Sequence, residues 1–329
     1  MTDSVLVIGS NSFSGASFCR WLLAQGANVI GISRSAEPQD CFLPYKWEAN
    51  GQFEFKQLDL NHHLPEIETL LNQCRPKIVY NFAAQSMVGQ SWDIPEHWFM
   101  TNCVSTIKLH NILRHMDFLD KYVHVSTPEV YGSCEGFVYE NHQLDPSTPY
   151  AVSRAATDMS LKTYFDVHGF PVVTTRAANV VGPGQQLYRI VPKTILSLLK
   201  GIKLPLHGGG HSRRSFIHID DVSNATQLIG EQGTCGEVYH ISTIRIVSIR
   251  DLVTMICEQL GNKIEDVCDI SEDRKGKDAA YLLDSSKVRT ELGWQDQISL
   301  ENTIDQCVTW SKNNFDTITS LPLEYIHKA

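Results

Sequence analysis

The chain has 329 residues, 42% of them hydrophobic and 20% charged, enough apolar material for one large domain or two modest ones and too much for a disordered chain. Lys and Arg number 28 against 37 Asp and Glu, a net charge of −9, which argues against a protein whose main task is gripping nucleic acid. No apolar run approaches the ~20 residues that span a bilayer, the start lacks a basic signal region, and nine widely spaced cysteines contain no CxxC pair, so a cytoplasmic protein with free thiols, no membrane partner and no metal is expected.

Residues 4–8 (SVLVI) predict a first strand. The turn Gly9-Ser10-Asn11-Ser12-Phe13-Ser14-Gly15 follows it and opens a helix over 15–25, with Phe18, Trp21 and Leu22 at helical spacing. Small residues at a strand–turn–helix junction let backbone N–H groups approach a pyrophosphate at the helix N-terminus. Gly9, Asn11, Ser12, Phe13, Ser14 and Gly15 are therefore candidate cofactor contacts. A second strand over 28–33 ends in Ser33-Arg34-Ser35. An acid there would bind the ribose 2′-hydroxyl of NAD. A cation flanked by hydroxyls suits the 2′-phosphate of NADP, so NADP is favoured over NAD. A third strand over 53–57 leads to Asp59 and Leu60, placed to meet the adenine. A fourth over 77–81 leads to Phe82, Ala83 and Ala84, small enough to leave room beside the nicotinamide half.

The stretch 101–116 puts Val104, Ile107 and Ile112 on one helical face, which predicts that this face is buried. Strands follow at 121–126 and 171–176. Near-continuous apolar strands alternating with helices predict an α/β fold, a Rossmann-type doubly wound parallel sheet covered on both sides. After Gly182-Pro183-Gly184 the rhythm changes. A helix over 191–200, a glycine turn at 208–210, short strands at 214–219 and 237–241, and an amphipathic helix over 300–313 predict a smaller α/β lobe. The expected division is a dinucleotide-binding domain over 1–182 and a substrate lobe over 183–329, with strands free to cross back to the first domain. Ligands in such folds lie at the carboxyl ends of the strands.

Three segments carry residues suited to chemistry. Ser126-Thr127-Pro128-Glu129-Val130-Tyr131-Gly132 ends the fifth strand, Tyr150-Ala151-Val152-Ser153-Arg154 follows Thr148-Pro149, and Asn179-Val180-Val181-Gly182-Pro183 follows the sixth strand. A phenol titrates near 10, so Tyr150 needs a nearby cation to act as a base at neutral pH.

Together with Asn81-Phe82-Ala83-Ala84-Gln85-Ser86, Arg214-Ser215-Phe216-Ile217-His218 and residues 284–294 (DSSKVRTELGW), these segments make the chain resemble, nearly end to end, the extended short-chain dehydrogenases/reductases of the nucleotide-sugar epimerase/dehydratase family. Within that family it is most similar to the 4,6-dehydratases that act on dTDP-glucose and GDP-mannose. The resemblance implies that Tyr150 takes the C4-hydroxyl proton as hydride leaves C4, and that Thr127 hydrogen-bonds the C4 oxygen. It implies that Glu129 removes the C5 proton before water leaves from C6 and hydride returns there, with the cofactor regenerated each turnover.

Two positions depart from the family. Arg154 stands where the family has the lysine that serves Tyr150 and the nicotinamide ribose, and its planar fork differs in reach from an ammonium. Pro128 replaces the aspartate or serine that precedes the glutamate and can move no proton. Gln85 and Val125 complete the cofactor wall that the resemblance implies. Gln85, Ser86, Thr127, Asn179, Arg189, Lys193, Leu204, Leu206, Arg214 and Arg274 would receive a nucleoside-diphosphate hexose. A homodimer is the implied assembly. The same residues also suit an NDP-sugar 4-epimerase or reductase, a UDP-glucuronate decarboxylase and, outside catalysis, an NADP-binding sensor or scaffold.

Overall fold

Apolar β-branched runs become strands that alternate with helices through the first half of the chain. They are β1 (Val5–Ile8), α1 (Phe13–Ala24), β2 (Asn28–Ser33), β3 (Gln52–Gln57), α2 (Leu64–Cys74), β4 (Ile78–Asn81), α3 (Pro95–Trp98), α4 (Thr106–Leu113) and β5 (Lys121–Val125). The middle of the chain adds β6 (Phe137–Val138), α5 (Pro149–His168), β7 (Val172–Ala177), β8 (Asn179–Val181), α6 (Ile190–Leu199), β9 (Leu204–His207), β10 (Arg213–His218), α7 (Ile219–Gln232) and β11 (Val238–Ile241). The last third holds β12 (Ile246–Ser248), α8 (Ile249–Gln259), α9 (Ile264–Val267), β13 (Cys268–Ser271), β14 (Leu282–Leu283), α10 (Ser286–Leu292), α11 (Leu300–Asn313) and α12 (Phe315–Ile318). This is a computed structural model that describes residues 4–47, 50–271 and 282–328.

The large sheet has seven parallel strands in the order β11-β7-β5-β4-β1-β2-β3. Its direction of winding reverses beside β1, where β2 lies on one side and β4 on the other, both in parallel register with Leu6 (Ile30 and Val79). A crevice opens at such a switch point because the loops leaving neighbouring strands diverge to opposite faces. Phe18, Leu22 and Leu23 of α1 and Ala225 and Ile229 of α7 cover one face of the sheet. Ile67 and Leu71 of α2, Leu109 and Leu113 of α4 and Leu161 of α5 cover the other. Both faces are dry, which is why these strands read as continuous apolar runs rather than alternating ones.

β11 lies beyond residue 183 yet pairs with β7, so the large sheet is completed by a strand from the second half of the chain. The remaining strands form a three-stranded sheet, β12-β10-β8, and two parallel pairs, β9 with β13 and β6 with β14. Phe216, Ile195, Leu252, Ile256 and Ile304 make the core beneath them. Among the described residues no helix is long and apolar enough to cross a membrane.

One sequence expectation is corrected. Residues 101–116 are helical only to Leu113, and Phe99–Ser105 is a π-helical turn that precedes α4. The extra residue per turn rotates the helix face. Thr101, Asn102, Ser105, Thr106, Leu109, His110 and Leu113 are buried, whereas Val104 is exposed and Ile107 and Ile112 are only half-buried. The polar residues are tolerated inside because they are used. Asn102 accepts from the Gln85 amide (2.8 Å) and donates to the Gln85 carbonyl (3.0 Å) and Ser153 Oγ (3.0 Å).

Candidate active site

The turn after β1 is built by two glycines and a serine. Gly9 has φ +87°, and a Cβ there would sit 2.6 Å from the Ala83 nitrogen. A Cβ on Gly15 would sit 2.2 Å from the Gly9 carbonyl oxygen. No larger residue fits either place. Ser12 caps α1: its Oγ accepts from the Gly15 amide (3.1 Å) and donates to the Gly9 carbonyl (2.7 Å). A side chain at this point is thus built into the turn. Ser33 Oγ accepts from the Asn11 amide (2.9 Å), and Asn11 Nδ2 donates to the Ser35 carbonyl (3.1 Å), tying the turn to the end of β2.

Three cavities of about 500 Å³ each run along the carboxyl ends of the strands. The first is lined by Gly9, Asn11, Ser12, Ser33, Arg34 and Ser35 on one side, and by Asp59, Leu60, Phe82, Ala83, Ala84 and Gln85 on the other. The second is lined by Glu129, Arg189, Lys193, Leu204, Leu206 and Arg214. The third joins them: Phe13, Ser14 and Ser86 meet Val125, Thr127, Glu129, Tyr150, Arg154 and Asn179 there. Gly15 is buried beneath the turn, and Arg274 lies outside the described residues.

Thr127 leaves β5 in an extended conformation and Pro128 starts a short 3-10 turn, Pro128–Tyr131. This brings Glu129 back onto Thr127, whose Oγ1 donates to Glu129 Oε2. Tyr150 enters from the first turn of α5, a helix capped by Thr148, which accepts from the Ala151 amide (3.2 Å). Burial, and then the charge of Glu129, push the Tyr150 phenol up to about 12; Arg154, Thr127 and Arg189 work in the other direction.

Arg154 and Asp158 lie one and two turns beyond Tyr150 on the same face of α5. Arg154 is buried, and its Nη2 donates to the Val125 carbonyl and lies 3.2 Å from His124 Nε2. Its Nε and Nη1 are buried and have no partner among the described residues. Asp158 accepts from Ser126 Oγ (2.7 Å) and Arg176 Nη2 (2.8 Å). Burial disfavours its charge, but Arg176, His124 and Arg154 together hold the carboxyl well below its usual range. Arg176 also lies over the Tyr131 ring at 4.7 Å.

The cleft fits a nicotinamide dinucleotide. The glycine turn leaves backbone at the mouth of α1, the first cavity runs from that turn to the end of β3, and Arg154 offers two buried donors without a protein acceptor. Gly9 to Ser14, Ser33 to Ser35 and Arg154 would hold it, and it would supply hydride transfer beside Tyr150.

Sequence reasoning passed over several residues in the cleft and behind it. Tyr188 lines all three cavities; an aromatic next to Arg189 in the loop after β8 was the available signal. Asp158 could have been found from its spacing, four residues beyond Arg154. Leu321, Pro322, Glu324, Tyr325, Ile326 and Lys328 also line the first cavity, with Glu324 and Tyr325 reaching the second, and nothing in their composition marks them out.

A family model described as GDP-mannose 4,6 dehydratase matches residues 6–307. The chain is 37% identical over 238 residues to a dTDP-glucose 4,6-dehydratase of Streptomyces antibioticus, covering 72% of this chain and 70% of that one. It is 30% identical to the dTDP-glucose 4,6-dehydratase of Haemophilus influenzae over 93% of this chain and 97% of that one. Among solved structures it is similar to DesIV, a dTDP-glucose 4,6-dehydratase from Streptomyces venezuelae with NAD bound (TM-score 0.88, 30% identity, 95% and 98% of the two chains). It is also similar to the UDP-glucose 4-epimerase of Thermotoga maritima (TM-score 0.86, 25% identity, 95% and 99%).

Proposed function

The chain belongs to the GDP-mannose 4,6-dehydratase family of extended short-chain dehydrogenases/reductases, and on that premise we propose that it dehydrates the hexose of a nucleoside-diphosphate sugar across C5 and C6. The observation that carries this reading is Glu129, held by Thr127 within the cavity that Tyr150 also lines and reaching the sugar-side cavity as well. Epimerisation at C4 needs no base at C5.

A dinucleotide held along the first and third cavities by Gly9 to Ser14, Ser33 to Ser35 and Arg154 would supply hydride acceptance from C4 and hydride return to C6. Tyr150, as phenolate, takes the C4-hydroxyl proton, and Thr127 holds the C4 oxygen. The resulting ketone acidifies the C5 hydrogen, and Glu129 removes it as a proton. Pro128 leaves no neighbouring acid, so the protonated Glu129 hands the proton to the C6 hydroxyl, which departs as water. Return of hydride to C6 leaves an enolate, which takes a solvent-derived proton at C5 through Glu129, and Tyr150 gives up its proton to solvent, so the 4-keto-6-deoxy sugar forms and both groups are reset. Arg154 secures the ribose and offsets the charge on Tyr150. Arg189, Lys193 and Arg214 meet the diphosphate, Leu204 and Leu206 face the base, and Asn179, Gln85 and Ser86 meet the sugar.

The dinucleotide we assign is NADP, supported by Arg34 between Ser33 and Ser35 and by the lack of an acid at the end of β2. The assembly we assign is a homodimer. Its support is the exposed apolar set Met100, Val104, Val152 and Met159 on the adjoining Phe99–Ser105 turn and α5. We place the protein in the cytoplasm, in keeping with nine free cysteines.

Incubation with a panel of nucleoside-diphosphate hexoses tests the reaction. A 4-keto-6-deoxy product with loss of water supports it. Inversion at C4 without water loss, or carbon dioxide released from a glucuronate, overturns it.

A further inference from the structure

Residues 321–328 run as an irregular extended chain in which side chains alternate. Leu321, Leu323, Tyr325 and His327 are half-buried, while Pro322, Glu324, Ile326 and Lys328 are exposed. That period of two is the pattern of an extended segment laid on a surface, and eight such residues reach about 26 Å. The surface is the cleft. Leu321 and Leu323 pack with Trp310, Ile318 and Leu187 at one end. Tyr325 stands edge-on to Tyr188 (centroids 5.3 Å) and lines both the dinucleotide-side and the sugar-side cavities.

The far end is fastened most fully. His327 stacks on Trp98 (4.9 Å, 11° between planes), its Nε2 lies 2.8 Å from His97 Nδ1, and its Nδ1 lies 3.2 Å from Tyr325 OH. The Lys328 carbonyl accepts from Gln85 Nε2 (2.8 Å) and Arg34 Nη2 (3.0 Å), two side chains of the first cavity. A guanidinium has five N–H donors, so Arg34 can serve this carbonyl and a ligand together. By contrast, the polar fastening at the sugar end is, among the described residues, the ion pair of Glu324 with Lys193 (2.6 Å), in which the Glu324 side chain is 81% exposed. Exposed ion pairs hold weakly and yield to a competing anion.

We propose that residues 321–328 are a strap that forms the outer wall of the dinucleotide cavity and holds the cofactor from one turnover to the next, with Tyr325 lining the cavity and His327 fastening the strap to Trp98 and His97. The proposal rests on the reading of the cleft as a dinucleotide and sugar-nucleotide site. In that reaction hydride leaves and returns to the same sugar, so the dinucleotide never has to exit, whereas the sugar exchanges every cycle. The fastenings follow that division: stacked rings and paired hydrogen bonds over the dinucleotide, one displaceable ion pair over the sugar.

The test reads dinucleotide release, with no sugar present and no turnover. Protein loaded with NADPH is chased with excess NADP, and the loss of bound fluorescence is timed for wild type, His327→Ala, the double variant Tyr325→Ala/His327→Ala, and a chain lacking 321–329. Each variant is expected to release at least about tenfold faster, with the double variant faster than the single. His327→Ala lies on the surface of a finished fold and keeps the test decisive if the shortened chain does not fold. Equal release from wild type and His327→Ala, both loaded and folded, overturns the strap and leaves the dehydratase reading intact. A wild-type chain that holds no dinucleotide at all overturns both.

Discussion

Arg154 and Asp158, one turn apart on α5, are joined through His124: its Nε2 lies 3.2 Å from Arg154 Nη2 and 3.5 Å from Asp158 Oδ1. Burial holds the His124 pKa down, against the pull of Asp158. The Val125 carbonyl takes a second bond. Arg154 is therefore fastened through Nη2, while its Nε and Nη1 stay buried with no partner among the described residues.

The two charges nearest Tyr150 should move its ionisation in opposite directions. Glu129 raises the phenol's pKa and Arg154 lowers it. Single-turnover oxidation at C4, read from reduced nicotinamide absorbance against pH, should keep its rising limb at lower pH in Glu129→Gln and at higher pH in Arg154→Met. Each displacement should be about one pH unit. Limbs that move together, or not at all, contradict the pairing.

Asp158 has a pKa below that of its unfolded state, so it stabilises the fold above the unfolded value and loses that contribution as pH falls through the folded value. Urea melts of the wild type should show stability falling below about pH 4. Asp158→Asn should be less stable at pH 7 by about 3–5 kcal/mol, because Arg176 and Arg154 lose a buried anion, and should show a shallower acid limb. An unchanged limb would mean that another carboxylate governs acid unfolding.

Ser12 acts as the cap of α1. Ser12→Ala should cost about 1 kcal/mol, since the Gly15 amide loses its acceptor, and Ser12→Gly only a few tenths. Denaturant midpoints decide it. A glycine variant less stable than the alanine variant would mean that backbone freedom, not the cap, sets the cost.

Arg34→Ala should weaken NADP by about tenfold or more and NAD much less, because only the 2′-phosphate needs the guanidinium. Titration of both dinucleotides checks this. Equal losses would assign Arg34 to the Lys328 carbonyl alone.

The large sheet was legible because its strands are buried on both faces, so apolar runs such as residues 4–8 and 28–33 stood out. The cleft residues were legible where a loop carries several of them in a row, as in Thr127 to Glu129. The face of the helix after residue 99 was not. Apolar spacing chose Val104, but the π turn and the bonds made by Asn102 put a polar face inside. Nor was the buried His124 behind Arg154 legible, since it lies 30 residues away and is brought there by strand order alone. The strap was invisible for a similar reason: its period of two covers only eight residues, and what it covers comes from other parts of the chain.

The central claim is that Glu129 takes a proton from C5 of a 4-keto sugar. The most direct measurement is mass and NMR analysis of the sugar after incubation in deuterium oxide with wild type and with Glu129→Gln. The wild type should place solvent deuterium at C5 of a dehydrated product, while Glu129→Gln forms the 4-ketone and leaves C5 unexchanged. Deuterium at C5 at the wild-type rate in Glu129→Gln, or a wild-type product that keeps its C6 oxygen, contradicts the account.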